Sequence, residues 1–373
     1  MSNLKKILVV GGAGFIGSHI VDELLGAGYM VRVMDNLGLP THDGNVPSWL
    51  NPKAEFIKGD VRNKSDWQIA LAGVGAVIHL AAYMDYHLDF STYIQTNVES
   101  VALLFECIVE QKLPIKKIIM ASSQAVYGEG QYRCPEHGVS YYSPRGEEQL
   151  KQHDWEAHCL TCHAIVEPVP EKESDELRPL IPYGVSKAAA EQLLFALGKL
   201  YNVPGVALRF SIPLGSCQSF RHYYSGALRS FAVNTLSGEP IQMNEDGLQW
   251  RDFMYVKDVA TAHKIVLEDS RADFESFNVG LGSGTRVLDL AKLVAAEVGI
   301  PFQPLLTNRY RLGGARHSLM DISKLKALGW QPQKTVADAV HDYIAWVKQF
   351  GNLKQYLKQT EDQMKQQGIQ KEI

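Results

Sequence analysis

Val10-Gly11-Gly12-Ala13-Gly14-Phe15-Ile16-Gly17 closes a short apolar run, Ile7–Val10, and opens a stretch of helical periodicity, Phe15–Leu25. Glycines 11, 14 and 17 keep the spacing G-x-x-G-x-x-G. At a strand-to-helix turn such glycines permit positive φ and let backbone amides approach a pyrophosphate at the helix N-terminus. A glycine-rich turn alone is a weak signal. Its surroundings decide what it means.

Further apolar runs rich in β-branched residues follow at Val31–Met34, Phe56–Lys58, Ala76–Leu80, Lys117–Ala121 and Val206–Phe210. Between them lie helical patterns such as Thr92–Glu110 and Val185–Tyr201. Apolar strands that do not alternate are buried on both faces, which requires a parallel sheet with helices on each side. Residues 1–210 therefore read as α/β, a Rossmann-type doubly wound parallel sheet that binds a dinucleotide. Beyond residue 210 the rhythm breaks into shorter elements. Phe277–Val279 reads as a strand returning to the sheet, and 211–350, with helical patterns at Leu288–Val298 and Val336–Phe350, mainly as a smaller C-terminal lobe. Residues 351–373 form a tail rich in Lys, Gln and Glu. It reads as a solvated helix or frayed end.

At 373 residues, with 46% hydrophobic and 21% charged residues, the chain can bury a full core without disulfides. Its net charge of −4 gives no electrostatic reason to expect nucleic acid or an anionic membrane. An anionic substrate would need local arginines. No apolar run approaches the ~18 residues of a membrane span. The first six residues are too polar and short for a signal peptide. Five cysteines, an odd number in a large chain, argue against a secreted disulfide framework. The expected compartment is the cytoplasm.

Asp35 ends the second strand, 18 residues beyond Gly17, where a carboxylate can accept hydrogen bonds from the adenosine ribose. The next residue is Asn36, not arginine, and a 2′-phosphate would be repelled by Asp35. NAD is favoured over NADP. In Gly59-Asp60-Val61, Asp60 reads either as a neighbour of the adenine amine or as a helix N-cap.

Tyr183-Gly184-Val185-Ser186-Lys187 starts a helix, and i to i+4 spacing puts Tyr183 and Lys187 on one face. A phenol with an ordinary pKa of about 10 is no base at neutral pH. A lysine cation one turn away, with a positive nicotinamide, favours the phenolate. Ser123, ending the fifth strand, is placed to hold the same substrate oxygen. The alternative is an ordinary helix with an exposed Tyr-Lys pair, which the glycine turn and Ser123 together argue against.

Between Tyr127 and Tyr183 lie 55 residues with six prolines and little periodicity. A loop this long within a domain is functional or separately stabilised. Cys134-Pro135-Glu136-His137 and Cys159-Leu160-Thr161-Cys162 supply C-x₂-H and C-x₂-C pairs that can meet at one tetrahedral zinc. His153, His158 or His163 could replace His137, and free thiols packed in a loop are the alternative.

Taken in order, Gly-Gly-Ala-Gly-Phe-Ile-Gly, Leu80-Ala81-Ala82, Thr96-Asn97, Ser122-Ser123-Gln124-Ala125-Val126-Tyr127-Gly128, Tyr183…Lys187 and Arg251-Asp252-Phe253…Asp258-Val259 resemble the extended short-chain dehydrogenase/reductase family. The match covers roughly residues 5–345 and lies nearest the nucleotide-sugar epimerase and dehydratase branch. The resemblance implies Tyr183 as catalytic base and Lys187 as its electrostatic partner and ribose contact. Ser123 would be the third member, with Asn97 supporting the helix and a water relay. It implies NAD contacts from Phe15, Ile16, Val61, Leu80, Ala81 and Ala82, and a homodimer through Thr92–Glu110 and Val185–Tyr201. A Cys-bearing insert with Tyr-Gly-Glu-Gly before it and Trp155-Glu156 within it resembles dTDP-L-rhamnose 4-epimerase-like members. The zinc would be structural, since hydride transfer needs no Lewis acid.

The family oxidises a sugar hydroxyl to a ketone and then branches. A 4,6-dehydratase carries an acidic pair after the Ser or Thr, but Gln124 and Ala125 stand here and cannot move protons. A C4 epimerase needs only the Tyr-Lys-Ser set, so a NAD-dependent nucleotide-sugar 4-epimerase is expected. A nucleotide-sugar decarboxylase or dehydrogenase is the enzymatic alternative, and a NAD-bound scaffold or sensor the non-enzymatic one. Ser123, Gln124, Arg251 and Arg311 are the candidate substrate contacts. The two arginines suit a diphosphate by their fork geometry, with surface salt bridges as the alternative. Ile212 stands where relatives often carry a phosphate-contacting Asn, and Arg311-Leu312-Gly313-Gly314 replaces an Arg-x-Gly-Asp pattern, with Arg316 nearby.

Overall fold

Seven parallel strands form the central sheet: β1 (Lys6–Val10), β2 (Met30–Asp35), β3 (Glu55–Lys58), β4 (Ala76–His79), β5 (Lys117–Ser123), β6 (Gly205–Phe210) and β7 (Ser276–Val279), in the order β7-β6-β5-β4-β1-β2-β3. They come from a computed structural model that describes residues 6–85, 88–222, 226–351, 353–356 and 371–372. Most of the polar tail, and the first five residues, lie outside the described residues.

Every expected strand is present, because each short apolar run pays its way on both faces. Ile7, Val9, Val31, Val33, Ile78, Ile119 and Leu208 share one core with the helices Phe15–Gly26 and Val256–Glu268. Leu8, Val10, Met34, Val77, Ile118 and Met120, one residue out of phase, share another with Trp67, Leu104, Phe105, Ala190 and Leu194. Period-two side chains thus feed two helix layers from one set of strands. Beyond β6, the helices Gly226–Leu236, Val287–Val298 and Val336–Val347 gather around a third core that includes Phe231, Leu290 and Tyr343. The helix Val256–Glu268, together with Met320, Ile322 and Trp330, instead joins the sheet's first core.

Two expectations need correction. The pattern Thr92–Glu110 is not one regular helix, because a π-helical stretch, Ile94–Glu99, precedes Ser100–Glu110. Such wide turns recur at functional sites, and this one carries Asn97. The insert is less formless than its sequence suggests. Gln131–Cys134 pairs antiparallel with Gly138–Tyr141 on one side and Glu167–Val169 on the other.

A buried polar cluster fixes the longest helix, Pro182–Tyr201, to the sheet. Glu191 accepts from Arg209 of β6 at 2.7 and 3.1 Å and from the Ser122 hydroxyl of β5. Arg209 also donates to the Tyr127 hydroxyl at 2.9 Å, which donates to Asn278 of β7 at 2.7 Å. Both charges are buried, at 2% and 4% exposure. Removing one partner strands the other charge in the interior. We expect Glu191→Gln to lower unfolding free energy by roughly 3 kcal/mol, the lower end for a broken buried pair. Urea denaturation that leaves the midpoint unchanged would show the cluster to be dispensable.

Candidate active site

The sheet order reverses between β4 and β1, and a crevice for ligands opens at the carboxyl ends of strands at such a point. The glycine turn lies there. Gly11 has φ +77°, and a Cβ on it would stand 2.8 Å from the Ala81 nitrogen. A Cβ on Gly17 would stand 2.3 Å from the Gly11 carbonyl. Glycine is therefore imposed at both positions, by the approach of β4's exit segment and by the tight packing of the helix on its own turn. Leu80 and Ala81 both donate their amides to the Val10 carbonyl, which seats Leu80-Ala81-Ala82 beside the turn. Gly14 caps the helix Phe15–Gly26 with no side chain over its N-terminus. Phe15 and Ile16, in its first turn, pack against the third core.

Asp35 closes β2 with its carboxylate bound to backbone: Oδ2 accepts from Ala13 at 3.1 Å and Oδ1 from Leu37 at 2.9 Å. It is thereby aimed at the glycine turn. His42, buried and stacked on Trp49, stands 4.0 Å away. Asn36 donates to Asp60 at 3.3 Å, which brings Asp60 to the same end of the crevice. Asp60 does not cap a helix, since the next one starts at Lys64 with Asn63 in the cap position. Its carboxylate is paired with Arg62 at 2.7 Å, and that guanidinium holds it down at about 2. Val61, next to it, is buried.

Ser123, Tyr183 and Lys187 come together at the end of β5. The Ser123 hydroxyl accepts from the Ala125 amide at 3.1 Å and stands near enough to the Tyr183 phenol to pull its pKa down. Lys187 Nζ lies 5.9 Å from the Tyr183 ring centre and donates to the Ala121 carbonyl at 2.8 Å. Burial pushes Tyr183 up to about 12, with Ser123 pulling the other way. Burial also brings Lys187 down to about 8, opposed by Glu191 one turn on. In the chain alone, desolvation of the phenol outweighs the nearby lysine, whose proton already serves a carbonyl.

Asn97 stands one step back from this group. Its side chain accepts from the Tyr83 amide at 2.7 Å and donates to the Tyr83 carbonyl at 3.0 Å and to Ser186 at 2.9 Å. It clamps the segment after β4 to the helix residue preceding Lys187. That is a positioning role. Gln124 accepts from Ser318 at 2.8 Å, tying the exit of β5 to the C-terminal lobe.

Arg251 is no surface salt bridge. It donates to the carbonyls of Trp250 at 2.8 Å, Arg316 at 2.8 Å and Ala315 at 2.9 Å. Arg311 is half-buried on the segment leading to Arg316. Sequence reading passed over Arg145, His317 and the full part played by Arg316. Arg316 is fully buried and binds Glu156, Glu245 and Asp246, while Arg145 binds Glu245 at 2.9 Å. No spacing pattern could have paired Glu156 with a residue 160 positions away.

The insert's ligand-type residues converge as the spacing required. Cys134, His137, Cys159 and Cys162 offer atoms that all lie within 4.8 Å of one another. Cys134 and Cys162 sulfurs are 3.7 Å apart, and His137 Nδ1 lies 3.5 and 3.6 Å from the Cys134 and Cys159 sulfurs. The S···S edge of a zinc tetrahedron with about 2.3 Å bonds is about 3.8 Å, so the residues fit the ion. Backbone amides of Cys162 and Thr161 lower the Cys159 thiol and the His137 contact lowers Cys134, whereas Cys162 and His137 are shifted up. Of the alternative histidines, His158 pairs with Asp154 at 2.9 Å and His153 rests edge-on against Trp155, while His163 is not among the four converging residues.

The chain is similar to known proteins over most of its length. The family model described as NAD dependent epimerase/dehydratase matches residues 7–147 and 157–280. A dTDP-L-rhamnose 4-epimerase of Burkholderia thailandensis is 33% identical over 353 residues, covering 92% of this chain and 95% of that enzyme. A putative UDP-glucose 4-epimerase of Methanocaldococcus jannaschii is 31% identical over 347 residues, covering 92% and 98%. Among solved structures, the UDP-glucuronic acid 4-epimerase of Bacillus cereus in complex with NAD superimposes with a TM-score of 0.73 at 26% identity, over 93% of this chain and 100% of that one. Glycine turn, Ser-Tyr-Lys cluster and whole-length similarity agree, and this chain belongs to the NAD dependent epimerase/dehydratase family.

Proposed function

We propose that the protein is a NAD-dependent nucleotide-sugar 4-epimerase of the extended short-chain dehydrogenase/reductase type, working through a transient 4-keto sugar. The observation that carries this reading is the gathering of Ser123, Tyr183 and Lys187 at the carboxyl end of β5, on the same sheet as the glycine turn after β1, with Lys187 Nζ 5.9 Å from the Tyr183 ring centre. NAD, when bound, supplies the hydride acceptor and the positive charge. Gly11, Gly14, Phe15, Ile16 and Gly17 would hold its pyrophosphate, Asp35 the ribose, and Asn36, Asp60 and Val61 the adenine end. Leu80, Ala81 and Ala82 would line its path towards Tyr183.

Tyr183 takes the proton of the sugar C4 hydroxyl as the C4–H bond is broken, and returns it when that bond is remade on the opposite face. Ser123 holds the same oxygen through both steps, and Lys187 stabilises the phenolate and contacts the ribose. Gln124 and Ala125 offer no acid or base, so the ketone is reduced again rather than dehydrated. Arg251 and Arg311 take the diphosphate, and residues 211–350 form most of the substrate lobe. Similarity to a dTDP-L-rhamnose 4-epimerase supports a dTDP-6-deoxyhexose as substrate. Side chains left exposed on the two helices that would pair, Ile94, Val109, Val185 and Leu200, support a homodimer. Among the described residues no helix is long and apolar enough to cross a membrane. Five free cysteines, three at metal-ligand distance, support a reducing, cytoplasmic setting.

We infer as well that Cys134, His137, Cys159 and Cys162 hold one structural zinc, whose work is to fix a module with a five-residue core of its own.

Incubation with a panel of dTDP-, UDP- and GDP-sugars, read by NMR, should give a C4 epimer from at least one and no 4-keto-6-deoxy product. Tyr183→Phe should lower turnover about 10²–10⁴-fold with the fold intact, and wild-type inertness to the whole panel would sink the reading. Tyr183 is protonated throughout the neutral range unless a cation lowers it, so reduction of bound NAD should quicken as pH rises. Lys187→Met should move that acidic limb upward by roughly one pH unit or more; an unmoved limb would remove lysine from the proton step. Elemental analysis of purified protein should find one zinc per chain, and none in Cys159→Ser. A metal-free wild type of equal thermal stability would contradict the zinc assignment.

A further inference from the structure

The Cys/His module reaches the segment that cradles Arg251 through one carboxylate. Glu156, three residues before Cys159, presents Oε1 to Arg316 at 2.6 and 3.1 Å and Oε2 to His317 Nε2 at 3.0 Å. The His317 tautomer is set by geometry: Nδ1 accepts the Trp250 amide at 3.1 Å, so Nε2 carries the proton that Glu156 receives. The neighbouring carbonyl of Trp155 accepts from Arg145 at 2.9 Å.

Arg316 and His317 in turn hold the backbone that aims Arg251. The Arg251 guanidinium is gripped by the carbonyls of Ala315, Arg316 and Trp250. Ser318 donates to Trp250 and accepts from Asp252, each at 3.1 Å, so the strand bearing Arg251 and the segment 315–318 are laced together. Charge is divided unevenly among the three arginines. Arg145 and Arg316 are matched by Glu245, Asp246 and Glu156. Arg251 is held by carbonyl dipoles, and among the described residues no carboxylate lies within ion-pair distance of it. It is only partly exposed, and its donors are spent on neutral carbonyls rather than on a carboxylate, so its positive charge is not neutralised within the chain.

We propose that Glu156 is a positioning residue for the nucleotide diphosphate, transmitting the set of the metal module through Arg316 and His317 to Arg251. The module then governs how tightly the nucleotide is bound, not the hydride chemistry at Tyr183. The proposal rests on the assignment of Arg251 to the diphosphate. A bidentate guanidinium is productive only within about 0.5 Å of its place, and loss of Glu156 slackens the segment that sets that place.

The test uses full-length, NAD-loaded protein with UDP and dTDP as probes, titrated by calorimetry, alongside steady-state kinetics. Glu156→Gln should weaken both nucleotides about tenfold, as for a lost charged hydrogen bond, and raise KM alike while kcat changes far less. Arg251→Ala should weaken them at least as much, and Glu156→Gln added to Arg251→Ala should cost nothing more. Stripping the metal with a chelator should weaken UDP binding in wild type and much less in Glu156→Gln. Wild-type affinity in Glu156→Gln, or losses that multiply in the double variant, would overturn the proposal. If Glu156→Gln does not fold, His317→Gln severs the other end of the same link and is read in the same way. Undiminished UDP binding by Arg251→Ala would remove the diphosphate assignment, and this proposal with it, while leaving the epimerase reading to its own product assay.

Discussion

A single buried ion pair sets the register of the helix that carries Tyr183 and Lys187 against the sheet that carries Ser123. Glu191 on the longest helix meets Arg209 on β6 and the Ser122 hydroxyl on β5, so the helix cannot slide along the sheet without stranding charge in the core. Tyr183 and Lys187 lie two and one helical turns before Glu191, and Ser123 follows Ser122 directly. The same carboxylate that locks the helix also tempers the desolvation of Lys187. Structure and chemistry share one anchor.

Around that anchor the site is poised but incomplete. Burial keeps the Tyr183 phenol protonated and lowers the Lys187 ammonium, and both effects weaken proton removal in the protein alone. A bound dinucleotide would add the charge that reverses the balance, which would give a physical reason for a sheet that carries its glycine turn and its Ser-Tyr-Lys group at the same ends of its strands. Asn97 serves the same end by fixing the segment after β4 to the catalytic helix with three hydrogen bonds.

The insert adds a second polar centre of a different kind. Its small core of Tyr132, Cys134, Ala157, Cys159 and Val166 is too slight to set a fold by apolar burial alone. Four ligand-type side chains converge beside that core, and ion pairs from Arg145 and Arg316 join Glu156 of the insert to Glu245 and Asp246.

How much of this was legible beforehand divides along a physical line. The seven strands, the glycine turn, Asp35, the Tyr183–Lys187 pair and the Cys/His spacing are local patterns, with periods of two or four residues or fixed short intervals, and the sequence by itself determined them. The π-helical turn at Asn97, the carbonyl cradle of Arg251 and the Glu156–Arg316 link were decided only by tertiary structure. So was the sign of the Tyr183 shift, which depends on how much water the folded chain removes. Such contacts join residues up to 160 positions apart, and desolvation is a property of the assembled volume, which no interval along the chain encodes.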